Sequence, residues 1–334
     1  MTLDDVNISN SCLLPTNSSC PKTYLPVDYV LFCITTCVVI FTLCGNLTIV
    51  IAICHFKQLH TPTNALILSL AATDAIVGLF VMPIHALKML DSCTVLAPNF
   101  CFVFLSIVCY FPSVSVFNIL LIAVDRHLAL SRPFLYSKVI TLFLARKVIL
   151  FLWIALLFYN YALLYFNGNF QRKCPGPCFP YVGEVWAFVD MMLVFLFPCA
   201  TIIILYLKVF FIARRHAVKI REVFMDKKRL YVKSCDSSPM ALEIKTARVL
   251  GIIVSAFLMC LIPYYVISMQ VDTLKEASVV SMNTASAFFM LNSAFNPIIY
   301  ALSYSWFRKS LKLIFTFKIC SPDSSLMNIH SKDV

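Results

Sequence analysis

The sequence is short of charge. Asp, Glu, Lys and Arg make up 13% of its 334 residues, about half the share of an ordinary soluble domain. That shortage excludes a water-soluble globule of this length, because too little polar surface exists to coat one. Glycine is sparse as well, with 6 residues against 16 prolines, which excludes collagen-like and low-complexity chains. Residues 1–27 include Asp4 and Asp5 and lack the basic-then-apolar order of a signal peptide, so the first apolar run would itself be the targeting signal. No apolar run alternates with period two, which excludes a β-barrel. No internal repeat is visible.

What remains is apolar, at 60% of the chain. A membrane-spanning helix needs about 20 apolar residues, and seven such runs occur, near 28–54, 64–88, 98–124, 144–166, 184–212, 247–270 and 278–302. Backbone polar groups cannot face lipid unpaired, so each run must be a helix. The expected fold is an all-α membrane protein, a seven-transmembrane helix bundle. Its divisions are an extracellular segment 1–27, the bundle 28–303, and an amphipathic helix with a cytoplasmic tail 304–334. Ser305–Phe317 reads as that helix, lying on the membrane with Phe307, Leu311, Ile314 and Phe315 inward and Arg308, Lys309 and Lys312 at the headgroups. Cys320 just beyond it is a palmitoylation candidate.

Charge sets the orientation. Of 27 Lys and Arg, only Lys22, Lys88, Arg172, Lys173 and Lys275 fall on one side when the loops are split alternately. The other side holds the rest, densest between spans five and six, and should be cytoplasmic. The net charge of +11 is then a rim facing anionic lipid, and nucleic acid is not an expected partner. The chain would be a multi-pass plasma-membrane protein with its N-terminus outside. Asn7 and Asn17 head glycosylation sequons on that outer side. So do six cysteines lie there, Cys12, Cys20, Cys93, Cys101, Cys174 and Cys178, where bridges are expected but their pairing is open.

Ionisable side chains inside a bilayer are costly and mark function. Asp74 lies mid-span in the second run, with Asn46, Ser115, Asn292 and Asn296 as neutral company in other spans. Asp74, Ser115, Asn292 and Asn296 form a candidate sodium site, and no other cofactor or metal is expected. Asp190 lies in the fifth run with no Lys or Arg at matching depth; Lys88 sits higher. A lone carboxylate there must be neutralised by a proton or by a cation from outside. Phe188, Tyr110, Tyr264 and Tyr265 offer π-faces, and carboxylate plus aromatics suits an ammonium. Arg126 ends the third span and Glu243 begins the sixth, a pair able to form a reversible clasp. Pro198, Pro263 and Pro297 should kink spans five, six and seven.

These positions carry a family signature. Gly45-Asn46, Leu68-Ser69-Leu70-Ala71-Ala72-Thr73-Asp74, Asp125-Arg126-His127, Trp153, Pro198, Pro263 and Asn296-Pro297-Ile298-Ile299-Tyr300 fall in order. Together they resemble the rhodopsin-like G-protein-coupled receptors. The run from Asn292 to Phe307 is similar to the fingerprint of trace amine-associated receptors. The resemblance implies a Cys101–Cys178 bridge and a second one, Cys20–Cys174. Two departures matter. Amine receptors of this kind usually hold the ammonium on a third-span Asp, whose place is taken by Val108, braced by a seventh-span Tyr, replaced by Met290. Leu261 also stands where a sixth-span Trp is usual. Asp190, eight residues before Pro198, matches the divergent, largely teleost branch, in which the fifth-span Asp is taken to bind the amine.

The resemblance therefore implies a receptor for small amines, olfactory, signalling through a stimulatory heterotrimeric G protein, and not an enzyme. Asp190 would take the ammonium, with Val108, Cys109, Pro112, Tyr264, Tyr265 and Ser286 lining the site. Asp125, Arg126, His127, Glu243, Phe134, Asn296, Pro297 and Tyr300 would form the switch and the G-protein face. The alternative is a receptor of the same class for a lipid or peptide, with Asp190 neutral. A transporter would show repeat symmetry, and a retinal protein would need a Lys in 278–302, which holds none.

Overall fold

A computed structural model describes residues 26–90, 98–167, 184–226, 239–270, 277–321 and 324–327. Among them the chain is helical, with no strand. The first span is Pro26–His55. The second runs Pro62–Ile76, through a π-helical turn Val77–Val81, into Met82–Leu90. Thr61 caps it, accepting the Asn64 N–H at 3.2 Å, and Pro62 takes the first turn, where a missing N–H costs nothing. The third span is Pro98–Ser131 and the fourth is Leu142–Asn167, joined by a short inner helix, Pro133–Val139. The fifth runs Glu184–Asp190, a π-helical stretch Met191–Leu196, then Phe197–Asp226. The sixth is Pro239–Gln270 and the seventh Ala277–Ser303.

Six of these helices are long and apolar enough to cross a membrane, and the sixth span contributes a shorter apolar stretch, Gly251–Ile267. The packing closes a ring. The first span touches the second and seventh, the fifth touches the sixth, and the sixth touches the seventh, while the third lies inside against the second, fourth, fifth and sixth. The fourth span is the least enclosed, and its Phe151 and Phe158 point outward two turns apart on one face. Such surface belongs against lipid, which is as apolar as the side chains themselves. Close packing, rather than removal from water, must then hold the bundle together. The main packed cluster fills the inner half and includes Phe56, Leu70, Ile119, Ile202, Phe257, Leu261, Tyr300 and Phe307. Leu261 occupies the expected Trp position as a fully buried part of that cluster.

Of the three prolines expected to kink their spans, Pro263 and Pro297 lie within continuous helices. In the fifth span the π-helical stretch ends two residues before Pro198. Proline lacks an N–H and its ring crowds the carbonyl four residues back, and a widened turn relieves both. One extra residue in a turn swings the outer piece by about 100°, so the direction of Asp190 depends on that stretch.

The surface helix runs Ser305–Phe315, two residues shorter than expected, since Phe317 adopts a left-handed backbone at φ 55°. Its packed face is Trp306, Phe307, Ser310 and Leu313. Phe315, expected inward, is instead exposed, because the face turns about 100° per residue and Leu313 takes the contact. Arg308 donates to the carbonyls of Ala301 and Leu302 at 3.0 and 3.2 Å, satisfying acceptors left open where the seventh span ends. Beyond the helix, Ser324 is buried and its hydroxyl meets His55 Nε2 at 2.9 Å, tying the start of the tail to the end of the first span.

Candidate ligand site and inner switch

Asp190 is half-buried at the junction of the outer helical piece and the π-helical stretch of the fifth span. Tyr159 of the fourth span donates its hydroxyl to Asp190 Oδ1 at 3.0 Å. Among the described residues no cation pairs with the carboxylate, and no second donor reaches it. The side chain of Lys88, the expected rival partner, lies outside the described residues. Cys109, Tyr264 and Tyr265 lie within reach of the Asp190 charge, so spans three, four, five and six converge on it. Tyr265 stacks on Phe195 with ring centroids 4.2 Å apart and meets Tyr264 edge-on at 5.4 Å. Tyr264 in turn lies 5.4 Å from Phe289 of the seventh span. The result is an aromatic wall bearing one carboxylate.

Not every expected lining residue belongs to it. Tyr110 donates its hydroxyl to the Trp153 carbonyl at 2.9 Å, which turns it toward the fourth span. Phe188 is exposed on the outside of the fifth span. Val108 packs beside Val77, Val81, Met82 and Met290, an apolar pole on the side of spans two and seven. Pro112 and Ser286 are half-buried on the third and seventh spans. Tyr159 and Phe289 were not expected at this site. A hydroxyl in an apolar span needs a partner, and that signal pointed at Tyr159, but Tyr161 and Tyr165 in the same span carried it equally.

Asp74 is fully buried deeper in the bundle. It accepts hydrogen bonds from Ser293 at 2.7 Å, Asn296 at 2.6 Å and Ser115 at 3.3 Å. Ser293 thus takes the place expected of Asn292, which is buried one residue around the helix. Asn46 reaches the same layer through backbone, donating to the carbonyls of Ser293 at 3.0 Å and Thr42 at 2.9 Å, while its own amide oxygen is buried without a described donor. The oxygens of Asp74, Ser115 and Ser293, with the orphaned Asn46 oxygen nearby, are the hard donors a small cation takes. No group of three or more His, Cys, Asp or Glu that could hold a metal ion occurs among the described residues.

At the inner end of the third span, Arg126 and Asp125 are both buried and paired at 2.6 Å. Thr63 of the second span donates to Asp125 Oδ2 at 2.8 Å, and Tyr136 of the short inner helix donates to Oδ1 at 2.8 Å. Arg126 also reaches Thr63 and, at 3.4 Å, Tyr136. Burial, then the adjacent Asp125 carboxylate, pushes the Tyr136 hydroxyl up to about 12. Thr63 and Tyr136 were not expected in this cluster. The Glu243 side chain lies outside the described residues, as do Asn7, Asn17, Cys20, Cys174 and Cys178 and the side chains of Cys101 and Cys320. His127 is half-buried beside the pair, Tyr300 and Pro297 are buried in the seventh span, and Phe134 is 86% exposed on the inner helix. A separate cavity of about 500 Å³ lies on the flank of spans one, two and four, lined by Leu59, Arg146 and Trp153 among others, and Asp190 is not in its lining.

Comparison with known proteins identifies the family. A family model described as "7 transmembrane receptor (rhodopsin family)" matches residues 45–300. The chain is 34% identical over 332 residues to trace amine-associated receptor 13c of Danio rerio, covering 96% of both chains. It is 35% identical over 340 residues to trace amine-associated receptor 8a of Rattus norvegicus, again covering 96% of both. With trace amine-associated receptor 7b of Mus musculus the identity is 33% over 337 residues, covering 97% of this chain and 90% of the other.

Proposed function

We propose, from the premise that this chain belongs to the rhodopsin family of seven-transmembrane receptors and within it to the trace amine-associated receptors, that it detects a small amine through Asp190. The observation that carries the reading is the state of that carboxylate. It sits among Cys109, Tyr264 and Tyr265 with a neutral hydroxyl as its described partner and no described cation. An ammonium entering from outside supplies the missing charge, and the rings of Tyr264 and Tyr265 supply faces for its polarised C–H and N–H groups. A hydrogen bond to a charged group contributes about 1.5–3 kcal/mol net.

Val108 and Met290 leave the opposite pole apolar. The amine then lies with its head toward the fifth span and its tail toward spans two, three and seven, lined by Val108, Cys109, Pro112, Tyr264, Tyr265 and Ser286. Binding favours the active state by the difference in affinity between the two states. The sixth span moves, Arg126 is released from its inner contacts, and the inner face opens. Exposed Phe134 supports a docking role for the short inner helix. Family membership supports coupling to a stimulatory or olfactory G protein, placement in the plasma membrane with the N-terminus outside, and an olfactory role. The oxygens around Asp74 would hold sodium, which supplies a positive charge that balances the buried carboxylate.

Asp190→Ala, in receptor shown at the cell surface, tests the assignment. Amine responses should vanish, and retained potency would refute it.

A further inference from the structure

Resting on the reading of Asp190 as the ammonium acceptor, we infer that Tyr159 determines which amines the site prefers. It holds one oxygen of the carboxylate and leaves the other to the ligand. The Tyr159 hydroxyl donates to Oδ1 at 3.0 Å. That bond crosses from the fourth span to the fifth, so it fixes the plane of the carboxylate against a neighbouring helix. Oδ2 accepts nothing among the described residues and is the open atom.

The number of N–H donors on the ligand decides the preference. A tertiary ammonium carries one N–H and needs one acceptor. Oδ2 alone satisfies it, and its N-methyl groups lie against the rings of Tyr264 and Tyr265. A primary ammonium carries three N–H donors, and each one that the bound ligand shields from water needs an acceptor or a π-face. Its best arrangement bridges both carboxylate oxygens, and there it competes with Tyr159 for Oδ1. Tyr159 thus acts through Asp190 as a positioning residue that favours one-donor amines over three-donor amines. Tyr159→Phe keeps the ring and its packing, removes the competing donor and opens Oδ1. The gain goes to ligands with a second N–H to offer.

The test is a potency ratio in full-length receptor at measured surface expression. The probes are n-alkylamines of four to eight carbons and their N,N-dimethyl counterparts, on wild type, Tyr159→Phe and Asp190→Asn. In Tyr159→Phe the potency of the primary amine relative to its tertiary twin should rise about tenfold, the worth of one hydrogen bond to a charged group. A hydroxyl that serves only the fold would lower both potencies together and leave the ratio still, and that result overturns the proposal. Asp190→Asn separates the two levels. If it silences every pair while the Tyr159→Phe ratio stays put, the role of Tyr159 fails and the ammonium reading stands. If Asp190→Asn responds as wild type does, or wild type answers no pair, both fail.

Discussion

Gly45 of the first span lies directly against Pro297 of the seventh. A Cβ built on Gly45 would stand 2.8 Å from both the Cβ and the Cγ of that ring. The ring is buried and cannot swing aside as a flexible side chain would. Gly45→Val should therefore force the two spans apart, at a cost of about 1–3 kcal/mol. The expected outcome is a lower melting temperature of the detergent-purified receptor and reduced surface expression. An unchanged melting temperature would show that the two spans separate freely.

The neighbouring Asp74 layer gives a second prediction. Three side-chain donors converge on a carboxylate with no exposure. Asp74→Asn keeps the shape and removes the charge. If the layer holds sodium, replacing NaCl by an organic-cation chloride should raise agonist affinity several-fold in the wild type, and Asp74→Asn should abolish that effect. Ligand binding at matched ionic strength measures it.

At the inner end, Tyr136 and Thr63 hold Asp125, which holds Arg126. Tyr136→Phe removes one donor, worth about 0.5–1.5 kcal/mol, and frees the pair to move. Basal second-messenger output should rise two- to tenfold, on the order of that energy. The hydroxyl of Tyr136 is raised to about 12 from an unfolded value of about 10. Its contribution is therefore fully present below pH about 10 and is lost only as pH climbs through the folded value. Basal output should show no step attributable to Tyr136 between about pH 6 and 9, the window below both values. A pH series comparing wild type with Tyr136→Phe checks this.

The seven-span plan was legible because apolar runs of membrane length, with Lys and Arg concentrated in alternate loops, leave little choice. Asp190 was legible for a related reason, being a lone charge in an apolar run. What surrounds a charge was harder to read. Ser293 rather than Asn292 meets Asp74, a difference of one residue and so of about 100° around the helix. Kinks and π-helical turns shift phase by comparable amounts, so spacing alone could not choose. Tyr159 was hidden among equivalent tyrosines of its span. Thr63 and Tyr136 were hidden because they flank the membrane, where a hydroxyl ordinarily finds water.

The tail offers a fourth prediction. Ser324 Oγ donates to the Ile319 carbonyl at 2.6 Å, so His55 Nε2 at 2.9 Å must be the donor to Ser324. Ser324→Ala leaves both partners without it, at a cost of about 1 kcal/mol. Amide exchange at residues 318–321 and 324–327 should quicken about fivefold. Exchange equal to wild type would mean that this contact does not hold the tail.

The measurement closest to the central claim compares an amine with its uncharged twin. An alkylamine and the alcohol of equal length should be titrated on wild-type receptor and on Asp190→Asn. The charge of Asp190 predicts that wild type prefers the ammonium by about tenfold or more, the worth of a charge-assisted bond, and that the variant loses this preference. Equal affinity for the pair in wild type, or an undiminished preference in the variant, would contradict it.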